Sequence, residues 1–308
     1  MNRQRFRGRF GRPPVPPPSP FVVGLGRSGT TLLRLMLDAH PELAIPPETY
    51  FATGVIRMYR KGDPQPSETA DYLAGLRRWG DFGISREELL ERLTRAAASD
   101  AQAALRAFYE VYAAKQHKPR WGDKTPGYGV QMRRISRTLP EARFVHLIRD
   151  GRDAALSRAR ASGKRVRPQK AAARWRDRIV ETRAQAARVP HYCEARYEDL
   201  VRDPEGSLRR ILSFVDLDWD PAVLRYHERA AERLSEMDRD LPAMDGKGHP
   251  PAEQRVGGHE MTTRPPDPTR LARWREEMGL AELAEFEAVA GDLLAELGYE
   301  LGSPRLSA

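Results

Sequence analysis

Short apolar runs alternate with longer segments in which apolar residues recur every three or four positions. The runs at 21–25 and 143–148 have the length and composition of buried β-strands, and 191–196 is a third, shorter candidate. Helical spacing follows the first two runs, at 30–37 and 151–160. Strands that alternate with helices in this way are typical of a parallel sheet. We therefore predict an α/β fold with three layers, α/β/α, around a central parallel sheet.

Three further segments have the pattern of amphipathic helices. Residues 51–118 are largely helical in spacing, and within them a Glu stands three residues after Ser85, the distance of a capping box. Longer helices are predicted over 168–187 and over 280–297, the second ended by Gly298. We expect 51–118 to be a helical insert that covers a functional site.

The ends of the chain and one internal segment lack such periodicity. Residues 1–20 contain five Arg and six Pro, a composition that cannot bury enough apolar surface to fold, so we predict a disordered tail. Residues 235–268 are predicted to be a mobile loop, and 303–308 a short tail. Since no other linker divides the chain, 21–302 is expected to be a single domain.

The net charge of +9 is unevenly distributed, because five of these charges lie in the basic tail. The remainder of the chain is only mildly basic, which argues against a nucleic-acid partner and is compatible with binding of small anions. The single cysteine, Cys193, excludes an intrachain disulfide framework and fits a reducing compartment. No signal peptide is visible, and no apolar run approaches the roughly 20 residues that span a bilayer. We expect a cytoplasmic protein without a membrane anchor.

The segment after the first strand has the spacing of a phosphate-binding P-loop. Gly24 and Gly29 flank four residues, and two threonines begin the predicted helix. In such a loop, backbone N–H groups and the helix N-terminus face an anion. Thr30 stands where a P-loop nucleotidase has the lysine that reaches the β- and γ-phosphates, so we expect one terminal phosphate without a triphosphate tail. The candidate ligands are Gly26, Arg27, Ser28, Gly29, Thr30 and Thr31.

A second anion site is predicted at the next strand. Arg149 directly follows the run at 143–148, and Ser157 lies eight residues further on, about two turns into the next helix. Ligands of parallel α/β sheets collect outside the carboxyl ends of the strands. A forked cation and a hydroxyl donor at this point predict a site for a second phosphate.

Residues 23–33, together with Arg149 and Ser157, resemble the two phosphate-binding signatures of the sulfotransferases that use PAPS, 3′-phosphoadenosine-5′-phosphosulfate. Further segments resemble the tyrosylprotein sulfotransferase branch and its bacterial relatives; they are 38–42, 48–49, 124–126, 196–200 and 271–274. The resemblance covers most of 21–300 in order. It implies in-line transfer of a sulfonate group from PAPS to an acceptor hydroxyl, with release of 3′,5′-ADP and without a metal.

The resemblance also implies roles around the donor. The glycine loop would hold the 5′-phosphosulfate, Arg149 and Ser157 the 3′-phosphate, and Tyr197 would lie against the adenine. Arg273 matches a family lysine near the donor phosphates, but the serine expected just before it is Ala272. One expected hydroxyl donor is therefore missing at this point.

Two residues are alternative candidates for the general base. The resemblance places Glu48 at the catalytic glutamate of the branch, where a partly buried carboxyl with a raised pKa would suit proton abstraction. His40 is the alternative, because cytosolic members of the family use histidine, although capping of a helix end is its simpler role. Lys124 with Arg27 is expected to stabilise the sulfonate and the departing phosphate, and Asp123 is a candidate to orient Lys124.

Two other functions are compatible with the residues. A nucleotide kinase would use a related P-loop scaffold, although Thr30 argues against it, and a non-catalytic protein would bind anions or nucleic acid through the basic tail. The seven histidines show no paired ligand spacing, so we predict no metal site. The sequence leaves the acceptor open, because small-molecule, lipid, carbohydrate and peptide tyrosine hydroxyls are all compatible with these motifs. The insert 51–118 is expected to lie on the acceptor side. The oligomeric state also stays open.

Overall fold

The structure, a computed structural model, describes residues 16–164, 166–241 and 259–302. Within these residues four parallel strands form a central sheet in the order β4-β1-β5-β6. A separate parallel pair joins β2 to β3. The strands are β1 (Ser19–Gly24), β2 (Leu43–Ala44), β3 (Arg120–Trp121), β4 (Asp123–Lys124), β5 (Ala142–Ile148) and β6 (Tyr192–Arg196).

Helices cover both faces of this sheet, which confirms the predicted α/β class with a central parallel sheet. A 3₁₀ turn, Pro126–Gln131, follows β4. The helices are α1 (Thr30–Asp38), α2 (Ala52–Lys61), α3 (Pro66–Ala74), α4 (Arg86–Arg95), α5 (Ala101–Lys115), α6 (Met132–Thr138), α7 (Gly151–Ser162), α8 (Pro168–Ala186), α9 (Tyr197–Arg202), α10 (Pro204–Phe214), α11 (His227–Ser235), α12 (Trp274–Glu277) and α13 (Leu280–Glu296).

The first strand begins earlier than its apolar run. The Ser19 N–H donates to the Glu141 carbonyl at 2.9 Å, and Ser19 and Pro20 pair with the start of β5. The predicted end of the tail at residue 20 is therefore wrong, because the partner strand continues the ladder beyond the apolar residues. The first 15 residues lie outside the described part of the chain.

Alternate residues of the central strands explain the three layers. Phe21 and Val23 of β1 pack on one face against α2, α5 and α6, where Phe108 is fully buried. Val22 faces the other side and joins a core formed with α1, α9 and α10. A third cluster, which includes Trp175, packs α8 against α13. Strands buried on both faces read as continuous apolar runs, which is why β1 and β5 were predictable.

Helices form in two of the segments that have helical spacing. The predicted insert 51–118 contains α2 to α5, and its capping box forms, since Glu88 N–H donates to Ser85 Oγ at 3.1 Å and Ser85 N–H to the Glu88 carboxylate at 2.6 Å. The final helix ends before Gly298, which has φ 75°. Helix α11, which no pattern predicted, ends at the start of the predicted loop 235–268, of which 242–258 lie outside the described residues.

Candidate functional site

The glycine loop links β1 to α1 and has the backbone geometry of an anion cradle. Gly29 has φ 88°, and a Cβ there would lie 2.3 Å from Cδ2 of the Tyr197 ring. Arg27 has φ 80°, also in the left-handed region, so the loop turns sharply before Thr30 begins the helix. The N–H groups of a first helical turn have no partner inside the helix and are oriented to bind an anion. In the loop and the first turn of α1, the buried polar residues are Ser28, Thr30 and Thr31.

The structure brings the two predicted phosphate sites into contact. Arg27 Nε donates to Ser157 Oγ at 3.2 Å, although 130 positions separate the two residues. Arg149 Nη1 donates to the Arg27 carbonyl at 3.3 Å, and the Arg149 guanidinium lies 4.4 Å from the centre of the Tyr197 ring. One continuous surface at the carboxyl ends of β1 and β5 therefore carries four of the predicted donor-site residues.

This surface is strongly electropositive. Burial lowers the pKa of Arg27, and the nearby guanidiniums of Arg149, Arg158 and Arg160 lower it further. Cations that destabilise one another are stabilised when an anion binds between them. A Cβ at Gly26 would lie 4.0 Å from Arg158 Nη1, so this arginine also borders the loop. Sequence reasoning missed Arg158 and Arg160, although both lie on the helix that carries Ser157.

Buried groups hold Arg149 in place. The indole N–H of Trp175 donates to the Arg149 carbonyl at 2.9 Å. Glu198 accepts from the Asp150 N–H at 2.9 Å and from the Tyr299 hydroxyl at 2.9 Å, which fixes the turn between β5 and α7. Glu198 lies in the run 196–200 that carries the family resemblance, but its role depends on contacts that the sequence does not reveal.

Arg273 lies near this surface in an ion pair. It pairs with Glu277, which also pairs with Arg160, and its side chain is 32% exposed. The next residue, Trp274, donates its backbone N–H to Asp153 at 3.0 Å, and Asp153 lies 3.7 Å from Arg149. Ala272, at the position of the expected serine, has φ 54°, in the left-handed region that alanine rarely adopts.

The second part of the site is a buried ion pair. Lys124, on β4 and 2% exposed, places Nζ 2.9 Å from Glu48 Oε1 and 3.4 Å from Thr31 Oγ1. The other oxygen of Glu48 accepts from the Tyr50 hydroxyl at 2.5 Å and from Arg78 Nη1 at 3.2 Å. Strand β4 has two residues, too few to form a pattern, and neither this strand nor Arg78 was predicted.

The expected raised pKa of Glu48 is wrong for the isolated chain. Burial alone would raise it, but the charges of Lys124 and Arg78 outweigh burial and hold the pKa below its ordinary value. A buried lysine needs an opposite charge, and Glu48 supplies it. Burial lowers the pKa of Lys124 itself, and Glu48 opposes this shift. The carboxylate is thus ionised and able to accept a proton, but it is a weak base while Lys124 contacts it.

The alternative base, His40, is engaged by the backbone on both ring nitrogens. The Glu42 N–H donates to Nδ1 at 3.1 Å, so the Nε2–H donates to the Asp218 carbonyl at 3.0 Å. The residue is buried, with 2% exposure. These contacts are those of a structural cap, and they favour Glu48 over His40 as the base.

Asp123 orients the segment of Glu48 and makes no hydrogen bond to Lys124. Its Oδ2 accepts from the Thr49 hydroxyl at 2.7 Å and from the Tyr109 hydroxyl at 2.9 Å. Thr49 directly follows Glu48, so the buried carboxyl of Asp123 anchors the backbone that carries the candidate base. Burial raises the pKa of Asp123 to about 6, although these hydrogen bonds oppose the rise. The expectation that Asp123 orients Lys124 is therefore corrected.

Membrane-spanning helices and metal-binding clusters are both absent from the described residues. None of their helices combines the length and the apolar character needed to cross a bilayer. No three side chains among their His, Cys, Asp and Glu residues are grouped so that they could hold a metal ion. Cys193 is a partly buried thiol on β6.

A strand, glycine loop and helix at the carboxyl end of a parallel sheet, bordered by arginines, have the architecture of a site for phosphate-type anions in an α/β protein. The model of the sulfotransferase family matches residues 18–221, and the chain belongs to this family. It is therefore an enzyme of the class that transfers a sulfonate group.

Curated relatives agree with this assignment. Protein-tyrosine sulfotransferase 1 of Danio rerio is 26% identical over 294 residues, which cover 91% of this chain and 72% of that protein. A putative protein-tyrosine sulfotransferase of Caenorhabditis briggsae is 26% identical, with 92% and 90% covered. The nodulation protein NoeE of Sinorhizobium fredii is also 26% identical, with 91% and 65% covered.

Solved structures share the fold. The sulfotransferase domain of an olefin synthase from Synechococcus PCC 7002 has a TM-score of 0.56 at 23% identity and covers 93% of this chain and 96% of that domain. The sulfotransferase domain of the curacin biosynthetic pathway has a TM-score of 0.58 at 18% identity, with 93% and 99% covered. At these identities the likeness concerns the fold alone.

Proposed function

We propose that this enzyme transfers the sulfonate group of PAPS to an acceptor hydroxyl and releases 3′,5′-ADP. The observation that carries the proposal is the position of Lys124, whose Nζ contacts both Glu48 and Thr31. Sulfonate transfer needs a base, a cation and the donor phosphate close together, because the reaction depends on positioning and charge stabilisation. Lys124 supplies the cation and lies between the glycine loop, where the donor phosphate would bind, and the carboxylate of Glu48.

In this proposal, two groups of residues bind the donor. The loop residues 26–31 hold the 5′-phosphosulfate, with Arg27 beside them, and Arg149 and Ser157 hold the 3′-phosphate. The hydrogen bond between Arg27 and Ser157 supports this arrangement, since both groups border one surface. Tyr197 lies beside Gly29 and under Arg149, which supports its assignment to the adenine. Arg273 lies further out, and it would have to exchange Glu277 for a phosphate.

The chemical step follows from the same contacts. Glu48 accepts the proton of the acceptor hydroxyl while the hydroxyl oxygen attacks the sulfur atom. The bond between sulfur and the bridging oxygen breaks, and its electron pair goes to the 5′-phosphate of the departing 3′,5′-ADP. Lys124, Arg27 and the loop N–H groups stabilise that charge. When the anionic donor lies beside Thr31, Lys124 has a second partner, and the pKa of Glu48 rises toward that of a useful base.

The acceptor and the compartment also belong to this proposal. The names of the protein-tyrosine sulfotransferases support a tyrosine hydroxyl as one acceptor, while small-molecule, lipid and carbohydrate hydroxyls are compatible with the same chemistry. The single cysteine supports a reducing compartment, so we place the enzyme in the cytoplasm. The transfer step uses only side chains and backbone N–H groups and needs no metal.

Nucleotide binding tests the proposal directly. Calorimetric titration with 3′,5′-ADP should give one site, and the nucleotide should raise the melting temperature without Mg²⁺. At about 100 times the dissociation constant, a ligand adds roughly 2.7 kcal/mol to the free energy of unfolding. 5′-AMP, ADP and ATP should bind more weakly, because they lack a 3′-phosphate.

Two results would contradict the proposal. Tighter binding of ATP that depends on Mg²⁺ would indicate a nucleotide kinase. If no nucleotide binds, removal of residues 1–15, which carry the five tail arginines, tests whether the chain is an anion-binding protein that uses its tail. A sulfotransferase keeps its affinity for 3′,5′-ADP after that truncation.

A further inference from the structure

Arg27, Arg149, Ser157 and Tyr197 form the surface that we call the donor surface. A basic cavity lies outside it. It has a volume of about 670 Å³ and is walled by α2, the turn 126–131, α6 and the end of α8. Half of its twelve lining residues are arginines, and none is an Asp or a Glu. We call it the arginine cavity; its cations are Arg57, Arg60, Arg133, Arg134, Arg137 and Arg188.

The charges of the arginine cavity are not balanced by acidic side chains. Within the described residues, none of its six arginines has a carboxylate within ion-pair distance, and all six side chains are exposed. By contrast, other arginines of the insert 51–118 form ion pairs, as Arg86 does with Asp71 and Arg106 with Glu141. Six like charges around one concave space repel one another, and a bound polyanion relieves that repulsion.

The shape and charge of the arginine cavity indicate the ligand. Its volume lies in the range of small-molecule sites, about 300–1,000 Å³, and helices enclose it on several sides, which favours a compact ligand over a long polymer. Guanidinium groups bind phosphate and sulfate oxygens through two parallel hydrogen bonds. A phosphate supplies nearly two charges in a single group, so a few such groups match six guanidiniums within this volume.

We propose that the arginine cavity binds a compact molecule that carries several phosphate or sulfate groups. The site shares no lining residue with the donor surface. Its walls begin close to the reactive pair, since α2 starts at Ala52, four residues after Glu48, and the turn 126–131 starts two residues after Lys124. The Ala52 N–H donates to the Tyr128 hydroxyl at 2.9 Å, which ties these two walls together.

Calorimetric titration of the full chain with inositol hexakisphosphate, and then with inositol hexasulfate, tests this proposal. Both probes should bind with one-to-one stoichiometry, and their affinity should fall steeply with added salt. The triple variant Arg133→Gln, Arg134→Gln, Arg137→Gln removes three cavity charges on α6 and should weaken the binding of both probes at least about tenfold, because three charge-assisted contacts to the probe are lost. Equal affinity in the triple variant would overturn the proposal.

A matched control removes the same number of charges elsewhere. Arg202, Arg209 and Arg210 lie on α9 and α10, which cover the opposite face of the sheet, and all three are exposed. Their triple substitution by Gln should change the affinity for either probe less than about twofold if specific contacts dominate. A loss as large as that of the α6 variant would mean that net charge alone binds the probe, and would contradict a defined site.

Two further measurements distinguish the arginine cavity from the donor surface and a compact ligand from a polymer. If Arg149→Ala abolishes binding of the probe while the α6 variant keeps it, the probe occupies the donor surface and the proposal fails. Tighter binding of hexaglutamate or of a single-stranded oligonucleotide than of either probe would replace the compact ligand by an acidic protein or a nucleic acid. If the α6 variant does not fold, as judged by circular dichroism, Arg57→Gln with Arg60→Gln on α2 provides the same test.

Discussion

Lys124 Nζ lies 2.9 Å from Glu48 Oε1 and 3.4 Å from Thr31 Oγ1, so one buried ammonium contacts both the candidate base and the glycine loop. This contact makes the basicity of Glu48 depend on the partner of Lys124. In the isolated chain the ion pair lowers the pKa of Glu48. An anion at the loop competes for the same ammonium, and the binding of the donor is thereby coupled to the strength of the base.

The substitution Glu48→Gln tests the base. We expect turnover to fall by roughly 10²-fold or more, as is typical for a lost general base, with almost unchanged affinity for 3′,5′-ADP. Steady-state kinetics and calorimetry measure the two effects separately. The exposed Glu42→Gln is the matched control and should keep full turnover. If Glu48→Gln also keeps full turnover, the base lies elsewhere, and His40→Gln is the next variant.

Arg78 tunes the same carboxylate from its other side. Its guanidinium lies 3.2 Å from Glu48 Oε2 and helps to hold the pKa of that group low. Removal of a cation disfavours the ionised form, so Arg78→Gln should raise the pKa of Glu48. The acidic limb of the pH profile of kcat/KM should therefore move to higher pH. An unchanged limb would show that Glu48 is not the group that must be ionised. The control is Arg86→Gln, because this partly exposed arginine pairs with Asp71 and makes no ion pair with Glu48.

Gly29 tests the glycine loop. Its φ of 88° suits glycine, and a Cβ would lie 2.3 Å from the Tyr197 ring, which would have to move. Gly29→Ala should weaken the binding of 3′,5′-ADP at least about tenfold, since both the loop and the ring border the donor site. Gly62 is extended and has no atom within 4 Å of an added Cβ, so Gly62→Ala should bind like the native chain. Equal affinity of the two variants would contradict the assignment of the glycine loop to the nucleotide site.

Arg149 is expected to bind the 3′-phosphate of the nucleotide. Arg149→Ala should weaken 3′,5′-ADP far more than 5′-AMP, by roughly one to two orders of magnitude, because a charge-assisted pair is lost only with the first nucleotide. Calorimetric titration of both nucleotides measures the difference. Exposed Arg202→Ala should affect neither. An equal loss for the two nucleotides would assign Arg149 to another part of the donor.

Asp123 predicts a pH dependence of stability. Burial raises its pKa in the folded chain to about 6, above its ordinary value of 3.8, so the folded state binds this proton more tightly than the unfolded state. The resulting stabilisation is present below about pH 4 and is lost as the pH rises through 6, in total by about 3 kcal/mol. Denaturant titrations from pH 4 to 7 measure this effect. The unfolding free energy of the native chain minus that of Asp123→Asn should fall over this range, because only the native chain loses the stabilisation. A constant difference would refute this linkage.

Two of the segments that border the site were predictable because each lies at a local signal. The strand, glycine loop and helix at 19–38 follow from an apolar run, two glycines and helical spacing within twenty residues. Arg149 and Ser157 follow a second apolar run in the same way. Local patterns of this kind depend on neighbours along the chain, which the sequence displays directly.

The ion pair between Glu48 and Lys124 was only partly predictable. Glu48 and Lys124 were found through family resemblance, but their ion pair, the lowered pKa of Glu48 and the bond between Asp123 and Thr49 were not. These contacts join positions more than 70 residues apart through a strand of two residues. A strand of two residues takes its conformation from its pairing with β1, so no local sequence pattern predicts it.

The amino-acid sequence alone therefore determined the α/β class, the glycine loop and the positions of Arg149 and Ser157 after the second apolar run, because these depend on spacing along the chain. Only the tertiary structure decided that Arg27 contacts Ser157, that Lys124 neutralises Glu48 and that six arginines surround a second cavity. Burial and the distances between charges set the chemistry of each site, and both arise only when distant segments pack together.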